Sequence, residues 1–122
     1  MTLLALILQF ILAMTFFWAG VLKIGGHQMH IENFKRWQLS DSLRPITGWF
    51  ELIGAILMGV GLWVSSWAAW GGLWIAIIMV CAAYVHIRIK DKLSNIVSPL
   101  FLAAGSLLVT WIHRTELLNF PF

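Results

Sequence analysis

Four ionisable residues, in or next to long apolar segments, are best suited to chemistry in this sequence: Lys23, Glu51, His86 and Arg88. Glu51 offers a carboxylate, His86 can exchange a proton near neutral pH, and Lys23 and Arg88 offer cations. A charged side chain in apolar surroundings needs a partner that offsets its lost hydration. Two interpretations follow: an ion pair of Glu51 with Lys23 or Arg88, or a polar site that binds a ligand and exchanges protons.

The composition indicates which elements must position these residues. The chain of 122 residues is 61% hydrophobic and 11% charged, whereas soluble domains are about one-quarter charged. Its apolar residues form four blocks, about 2–22, 45–64, 68–87 and 95–113. Each block is close to the ~20 residues that cross a bilayer as a helix, and none alternates as membrane β-strands do. The sequence predicts an all-α fold: an integral membrane four-helix bundle, one domain over residues 1–122.

Helices that run alternately up and down bring the ionisable residues to one face of the membrane, where they could point into a shared cavity. On the second span, Glu51 shares a helical stripe with Gly54, Ala55, Met58 and Gly61. Small residues in membrane helices usually face other helices. We therefore expect Glu51 to point into the bundle, as does Gln9 on the first span.

Pro99 lies close to the start of the fourth span. A helix that begins at Pro99 would be only about 22 Å long before His113, too short to span without local thinning. A start near Ser94, followed by a kink, is predicted instead.

The basic residues predict the orientation of the chain. Seven of the eight Lys and Arg residues lie in the two connections that follow the first and third spans. The positive-inside rule then predicts a multi-pass protein of the cell membrane with both termini outside and these loops in the cytoplasm. Anionic lipid headgroups, not nucleic acid, are the expected partners of the basic residues. Within the first loop, Met29 to Leu39 predicts a short interfacial helix between helices one and two.

Tryptophans predict the two boundaries of the membrane. We expect Trp63, Trp67, Trp70, Trp74 and Trp111 to lie at the outer boundary and Trp18, Trp37 and Trp49 near the inner one, because indole rings anchor helices at interfaces. The first block lacks the basic start of a signal peptide and is expected to remain as helix one.

Several other sites are disfavoured by the sequence. Cys81 is the single cysteine, so no intramolecular disulfide can form, and we expect it to be a small packing residue. His27, His30 and Glu32 have metal-like spacing but no accompanying zinc motif, and no metal site is predicted. His86 and His113 are expected at opposite faces, which disfavours haem.

Two segments resemble the DoxX-like family of small bacterial membrane proteins: FFWAGVLK at residues 16–23 and GWFELIGAILMGVGLW at residues 48–63. The family's leucine-proline element appears here in altered form, as LSDSLRP. The resemblance implies a four-helix bundle in which Lys23 and Glu51 match the family's basic and acidic residues. It also implies a membrane partner of redox or sulfur-metabolism proteins, and an animal branch resembles chaperones of receptor assembly.

Three functions remain as hypotheses. The first is an accessory membrane subunit of a quinone-linked redox or sulfur-metabolism system, with quinone as the candidate cofactor. The second is a non-enzymatic scaffold or assembly factor that docks a protein partner or a second copy of the chain. A small four-helix transporter is the third and weakest, because such transporters are expected to hold a carboxylate deep in helix one, where this chain has only Gln9.

Overall fold

The computed structural model describes residues 3–122, and helices make up its secondary structure throughout that range. In chain order they are α1 (Leu3–Ile24), α2 (Gln28–Arg36), α3 (Leu43–Val60), α4 (Ser65–Arg88), α5 (Leu93–Ile112) and a 3₁₀ helix (Arg114–Asn119). Four of them, α1, α3, α4 and α5, are long and apolar enough to cross a membrane. The predicted all-α bundle with a short helix after the first span is therefore confirmed. Pro99 lies inside α5, which begins at Leu93, close to the predicted start near Ser94.

The four long helices pack around a common core. Helix α3 packs against α1 on one side and α4 on the other, α5 packs along α4, and α1 also contacts α5. The largest residues of this core include Leu12, Phe16, Met58, Ile75 and Val109. The whole stripe predicted on the second span, from Glu51 to Gly61, is buried, and Gln9 is fully buried on α1. Small residues thus hold the helices together within this chain.

Helices α1 and α3 approach closely where two glycines face each other. A Cβ atom at Gly20 would lie 2.7 Å from the carbonyl oxygen of Gly48, and one at Gly48 would lie 2.8 Å from that of Gly20. Only glycine permits this backbone contact, as at other close helix crossings in membranes. The crossing brings the end of α1, with Lys23, beside the first turns of α3.

The turn after α1 places α2 across this end of the bundle. Helix α1 ends before Gly25 and Gly26, and Gly26 has the left-handed φ of 76° that glycine tolerates. A guanidinium N–H of Arg44 donates to the carbonyl oxygen of Lys23. Helix α2 then buries His30 and Phe34. These two buried side chains dock the predicted short helix onto the bundle.

The opposite end is closed by the C-terminal segment. The indole N–H of Trp70 donates to the carbonyl oxygen of Leu117 at 2.8 Å, and that of Trp67 donates to Pro121 at 2.9 Å. Trp63 and Trp111 are exposed there, as anchors are. Trp74 differs from the expectation: its indole donates to the carbonyl oxygen of Phe50 at 2.7 Å, so it ties α4 to α3 and does not lie at the boundary.

Cys81 also differs from its prediction. We expected a small packing residue, but the thiol is exposed on α4. It lines the edge of the cavity described next. The helical pattern did not reveal this, because Ala76, Met79 and Ala83 of the same helix face the core.

Candidate ligand-binding cavity

A cavity of about 530 Å³ lies at the end of the bundle that carries Lys23. Helices α3 and α4 form its walls, α2 covers it, and α5 contributes Ser98, Pro99 and Leu102. Most of its lining is apolar. Phe50 and Ile77 line it and are also 46% and 64% exposed on the outer surface of the bundle. The cavity is therefore open where Phe50 of α3 and Ile77 of α4 are exposed, at the side of the bundle.

A buried ion pair forms one polar wall of this cavity. The Nζ atom of Lys23 lies 2.6 Å from Oε1 of Glu51, and the two side chains are 12% and 3% exposed. The second carboxylate oxygen, Oε2, is buried and receives no hydrogen bond from any residue in the range 3–122. A buried carboxylate oxygen without a donor is costly, and a ligand that supplies one would gain that free energy. Of the two partners proposed for Glu51, the structure has Lys23.

Trp37, the C-cap residue that follows α2, contributes an unpaired donor. Its indole Nε1 is buried and finds no acceptor among the described residues. The ring packs against Phe34, with centroids 5.0 Å apart, and against His86, with centroids 5.2 Å apart. These contacts fix the indole in the cavity wall. Trp37 was expected to be an interfacial anchor, but its N–H is enclosed.

His86 lines the cavity and is oriented by a carboxylate behind it. Its Nδ1 atom lies 2.7 Å from Oδ2 of Asp91, in the turn between α4 and α5. Arg36 donates to the same oxygen at 3.2 Å, while Asn95 and the backbone N–H of Lys92 donate to the other oxygen. The hydrogen bond from His86, together with those from Asn95, Lys92 and Arg36, holds the pKa of Asp91 well below its usual range. Asp91 is therefore an ionised acceptor.

Arg88 does not share this cavity with the other three predicted residues. Lys23, Glu51 and His86 line it together. Arg88 instead donates from Nη2 to the carbonyl oxygen of Trp37 at 2.7 Å. It lines a second, polar groove of about 480 Å³ with Arg36 and Lys90. Its contact holds the end of α2 in place, so Arg88 acts on the cavity through Trp37.

The DoxX-like family matches residues 7–109 of the chain. The chain belongs to this family. Neither a curated protein nor a solved structure matches it. Lys23, Glu51, Trp37, His86 and Asp91 all lie within the segment that matches the DoxX-like family.

The histidines of this DoxX-like protein do not converge on a metal. Among residues 3–122, no group of three His, Cys, Asp or Glu side chains is placed to hold an ion. His27 accepts a hydrogen bond from the N–H of Met29, which caps α2, and Glu32 accepts one from Gln28. His113 lies at the other end of the bundle, with Nε2 3.0 Å from Oε1 of Gln9. Burial lowers the pKa of His113.

His30 is buried beneath α2 among positive charges. Burial lowers its pKa to about 4, and Lys23, His27 and Arg44 nearby lower it in the same direction. Its Nδ1 atom is buried and has no partner within the described residues. The imidazole is therefore neutral at physiological pH.

Sequence reasoning missed two residues of the site, Trp37 and Asp91. Asp91 is the single acid in the basic segment RIKDKL, five residues after His86. An isolated acid this close to a histidine could have predicted a hydrogen bond between Asp91 and His86. Trp37 gave no comparable signal, because a tryptophan beside basic residues is typical of an interfacial anchor.

Proposed function

We propose that this DoxX-like protein is an accessory membrane subunit of a quinone-linked redox or sulfur-metabolism system, and that its cavity binds the quinone headgroup. One observation carries the proposal: Glu51 lines an apolar cavity at the side of the bundle, and the Oε2 atom of its buried carboxylate has no donor among the described residues. A membrane-dissolved molecule with a polar ring and an apolar tail matches both properties.

The residues present fit such a ligand. The volume of about 530 Å³ falls within the few hundred to about 1,000 Å³ typical of small-molecule sites. The exposed side chains of Phe50 and Ile77 offer an apolar path for a tail, and Lys23, Glu51 and His86 supply polar groups to the same cavity. Quinones carry two electrons and two protons through a bilayer. Glu51 and His86 are the residues suited to hold or accept those protons.

Lys23 and Trp37 orient the headgroup in this proposal. Both residues line the cavity and carry N–H donors, and a headgroup oxygen would accept from either. The apolar lining excludes water, which strengthens these polar contacts. Electrons would come from a protein partner, which we also propose. In the same proposal the cavity face lies at the cytoplasmic side of the cell membrane, because the basic residues cluster there.

The test is extraction of the gently solubilised protein and mass spectrometry of the extract. We expect stoichiometric quinone with the wild type and its loss in Glu51→Gln. Glu32→Gln, a matched change at an exposed carboxylate of α2, should retain the quinone. The double variant Lys23→Met/Glu51→Gln, which removes both buried charges, should be folded and still lack it. As a further condition, quinone is added in excess during membrane solubilisation. If the wild type still retains none, the proposal is refuted.

A scaffold function is the second candidate, and the polar groove favours it. Three basic residues, Arg36, Arg88 and Lys90, line that groove with one acid, Asp91, and their excess positive charge could dock an acidic protein surface. The small-residue stripe of α3 offers no docking surface, since it is buried within the chain. A protein partner that copurifies without quinone, and is lost in Arg88→Glu, would favour the scaffold.

A further inference from the structure

We infer that the cavity binds the reduced, hydroxyl-bearing form of a quinone more tightly than the oxidised form. This inference rests on the proposed function and adds the redox state that the site selects. It follows from the hydrogen-bonding groups of four residues around the cavity. Glu51 and His86 are the acceptors, and Trp37 and Lys23 are the donors.

The first acceptor is Glu51. Its Oε1 atom is used by Lys23 at 2.6 Å, and the ion pair leaves Oε2 as a carboxylate oxygen, which can only accept. No residue in the range 3–122 donates to it, although it is buried. A ligand hydroxyl is the group that satisfies it.

The second acceptor is Nε2 of His86. Asp91 leaves this atom free to accept, because it binds the other ring nitrogen. Asp91 receives hydrogen bonds from Arg36, Asn95 and the backbone of Lys92, and a carboxylate held in this way accepts from His86 as well. In the neutral form of the imidazole, the proton therefore lies on Nδ1, 2.7 Å from Asp91. Its Nε2 then carries a lone pair, and it makes no hydrogen bond to another described residue. Asp91 is a positioning residue that fixes this tautomer.

The donors do not distinguish the two redox forms. Trp37 offers a buried N–H without an acceptor in the described chain, and Lys23 has N–H groups beyond the one given to Glu51. A quinone carbonyl and a quinol hydroxyl oxygen can both accept from them.

Only the two acceptors, Glu51 and His86, distinguish the quinol from the quinone. A quinol carries two hydroxyl protons to donate to Glu51 and His86, which line the same cavity. A quinone donates none and leaves a buried acceptor unpaired. One such acceptor weakens binding by about tenfold. A tenfold preference for the reduced form would raise the midpoint potential of the bound two-electron couple by about 30 mV. The site would thereby favour electron transfer from the proposed partner to the bound molecule.

The test compares ubiquinol-1 and ubiquinone-1, two short-tailed probes, by anaerobic calorimetric titration of the full-length protein in lipid nanodiscs at pH 7. We expect the quinol to bind at least about tenfold more tightly. Asp91→Asn should reduce this ratio severalfold with little change in quinone affinity, because an amide no longer fixes the proton of His86 on Nδ1. Asp41→Asn, at an exposed carboxylate of the other loop, should keep the ratio. Trp37→Phe should weaken both probes equally.

The outcomes separate this inference from the proposed function. Equal affinity, or tighter binding of the quinone by the wild type, would overturn the inference and leave the quinone site intact. A wild-type preference that Asp91→Asn does not reduce would overturn the assignment of the second acceptor. If neither probe binds, the proposed function itself fails. The wild-type comparison needs no variant, so it decides the inference even if a variant fails to fold.

Discussion

The Lys23–Glu51 pair holds two charges in the bundle where the apolar pattern of α1 and α3 would favour none. It joins the end of α1 to α3 at 2.6 Å, and both side chains are largely buried. A buried pair contributes little net stability relative to apolar residues, but loss of one partner leaves the other charge uncompensated. Substitution of either residue therefore affects the other, independently of any ligand.

This coupling gives a prediction for stability in detergent. Glu51→Gln should lower the free energy of unfolding by about 3 kcal/mol, because it leaves the Lys23 ammonium buried without a counter-charge. Lys23→Met in the same background should restore much of this loss. Thermal unfolding of the wild type and the two variants would measure it. Equal stability of all three would show that the pair has no structural role.

His30 predicts a separate dependence on pH. Its pKa in the folded state is about 4, below the ordinary value near 6.5, so the unfolded or undocked state binds more protons between these values. The stability from its burial is fully present above about pH 6.5 and falls as the pH decreases toward 4. Asp91, whose pKa is also lowered, loses its contribution only below its ordinary value of about 3.9. The two pH ranges therefore do not overlap.

Hydrogen exchange of the α2 amides, corrected for intrinsic rates, would measure this effect. Protection should fall between pH 6.5 and 4.5 by at most about tenfold per pH unit, the limit for one proton. His30→Phe should remove the slope. His27→Asn keeps an acceptor for the cap of α2 and should retain it. A slope that persists in His30→Phe would exclude His30 as its source.

The packing of α1 against α3 depends on close backbone contact. The position of α2 depends on its contacts with the bundle. Gly20 and Gly48 let α1 and α3 meet, and this contact sets the height of Lys23 against Glu51. Helix α2 is held by Phe34 in the core, Arg88 at Trp37 and Arg36 at Asp91. The cavity thus depends on the docking of a short helix that could not persist alone in water.

The glycine contact can be tested with a matched pair of substitutions. Gly20→Ala places a Cβ atom 2.7 Å from the backbone oxygen of Gly48 and should cost about 1–3 kcal/mol of stability. Gly59→Ala meets no atom within 4 Å and should stabilise α3 by up to about 1 kcal/mol. Thermal unfolding in the same detergent compares them. A neutral Gly20→Ala would contradict the close crossing.

The whole molecule is asymmetric in charge along its long axis. The cavity face carries Lys23, Arg36, Arg44 and Arg88, whereas the other end is closed by tryptophans and the C-terminal segment. The positive-inside rule predicts orientation from this asymmetry of charge. The proposed orientation therefore does not depend on any ligand.

Orientation can be measured with single cysteines in a Cys81→Ser background. A membrane-impermeant maleimide should label Thr115→Cys in intact cells and Ser40→Cys only after lysis, since both positions are exposed but at opposite ends. The reverse pattern would place the cavity face outside and would overturn the proposed cytoplasmic location of the basic loops.

The sequence by itself determined the spans, the short helix and the inward direction of Glu51. Backbone groups in a bilayer must bond within their own helix, so the length and apolarity of each block suffice to predict it. The stripe from Glu51 to Gly61 predicted the buried face of α3 for the same local reason, because residues three and four apart share one side of a helix.

Only the tertiary structure decided which side chains meet. Lys23 pairs with Glu51, and Arg88 turns to the carbonyl oxygen of Trp37, although the sequence allowed either cation at Glu51. The same holds for the enclosed N–H of Trp37 and for Asp91 behind His86. These partners depend on the rotation and relative height of packed helices and on where α2 docks. Such relations arise between segments distant in the chain, and no local pattern encodes them.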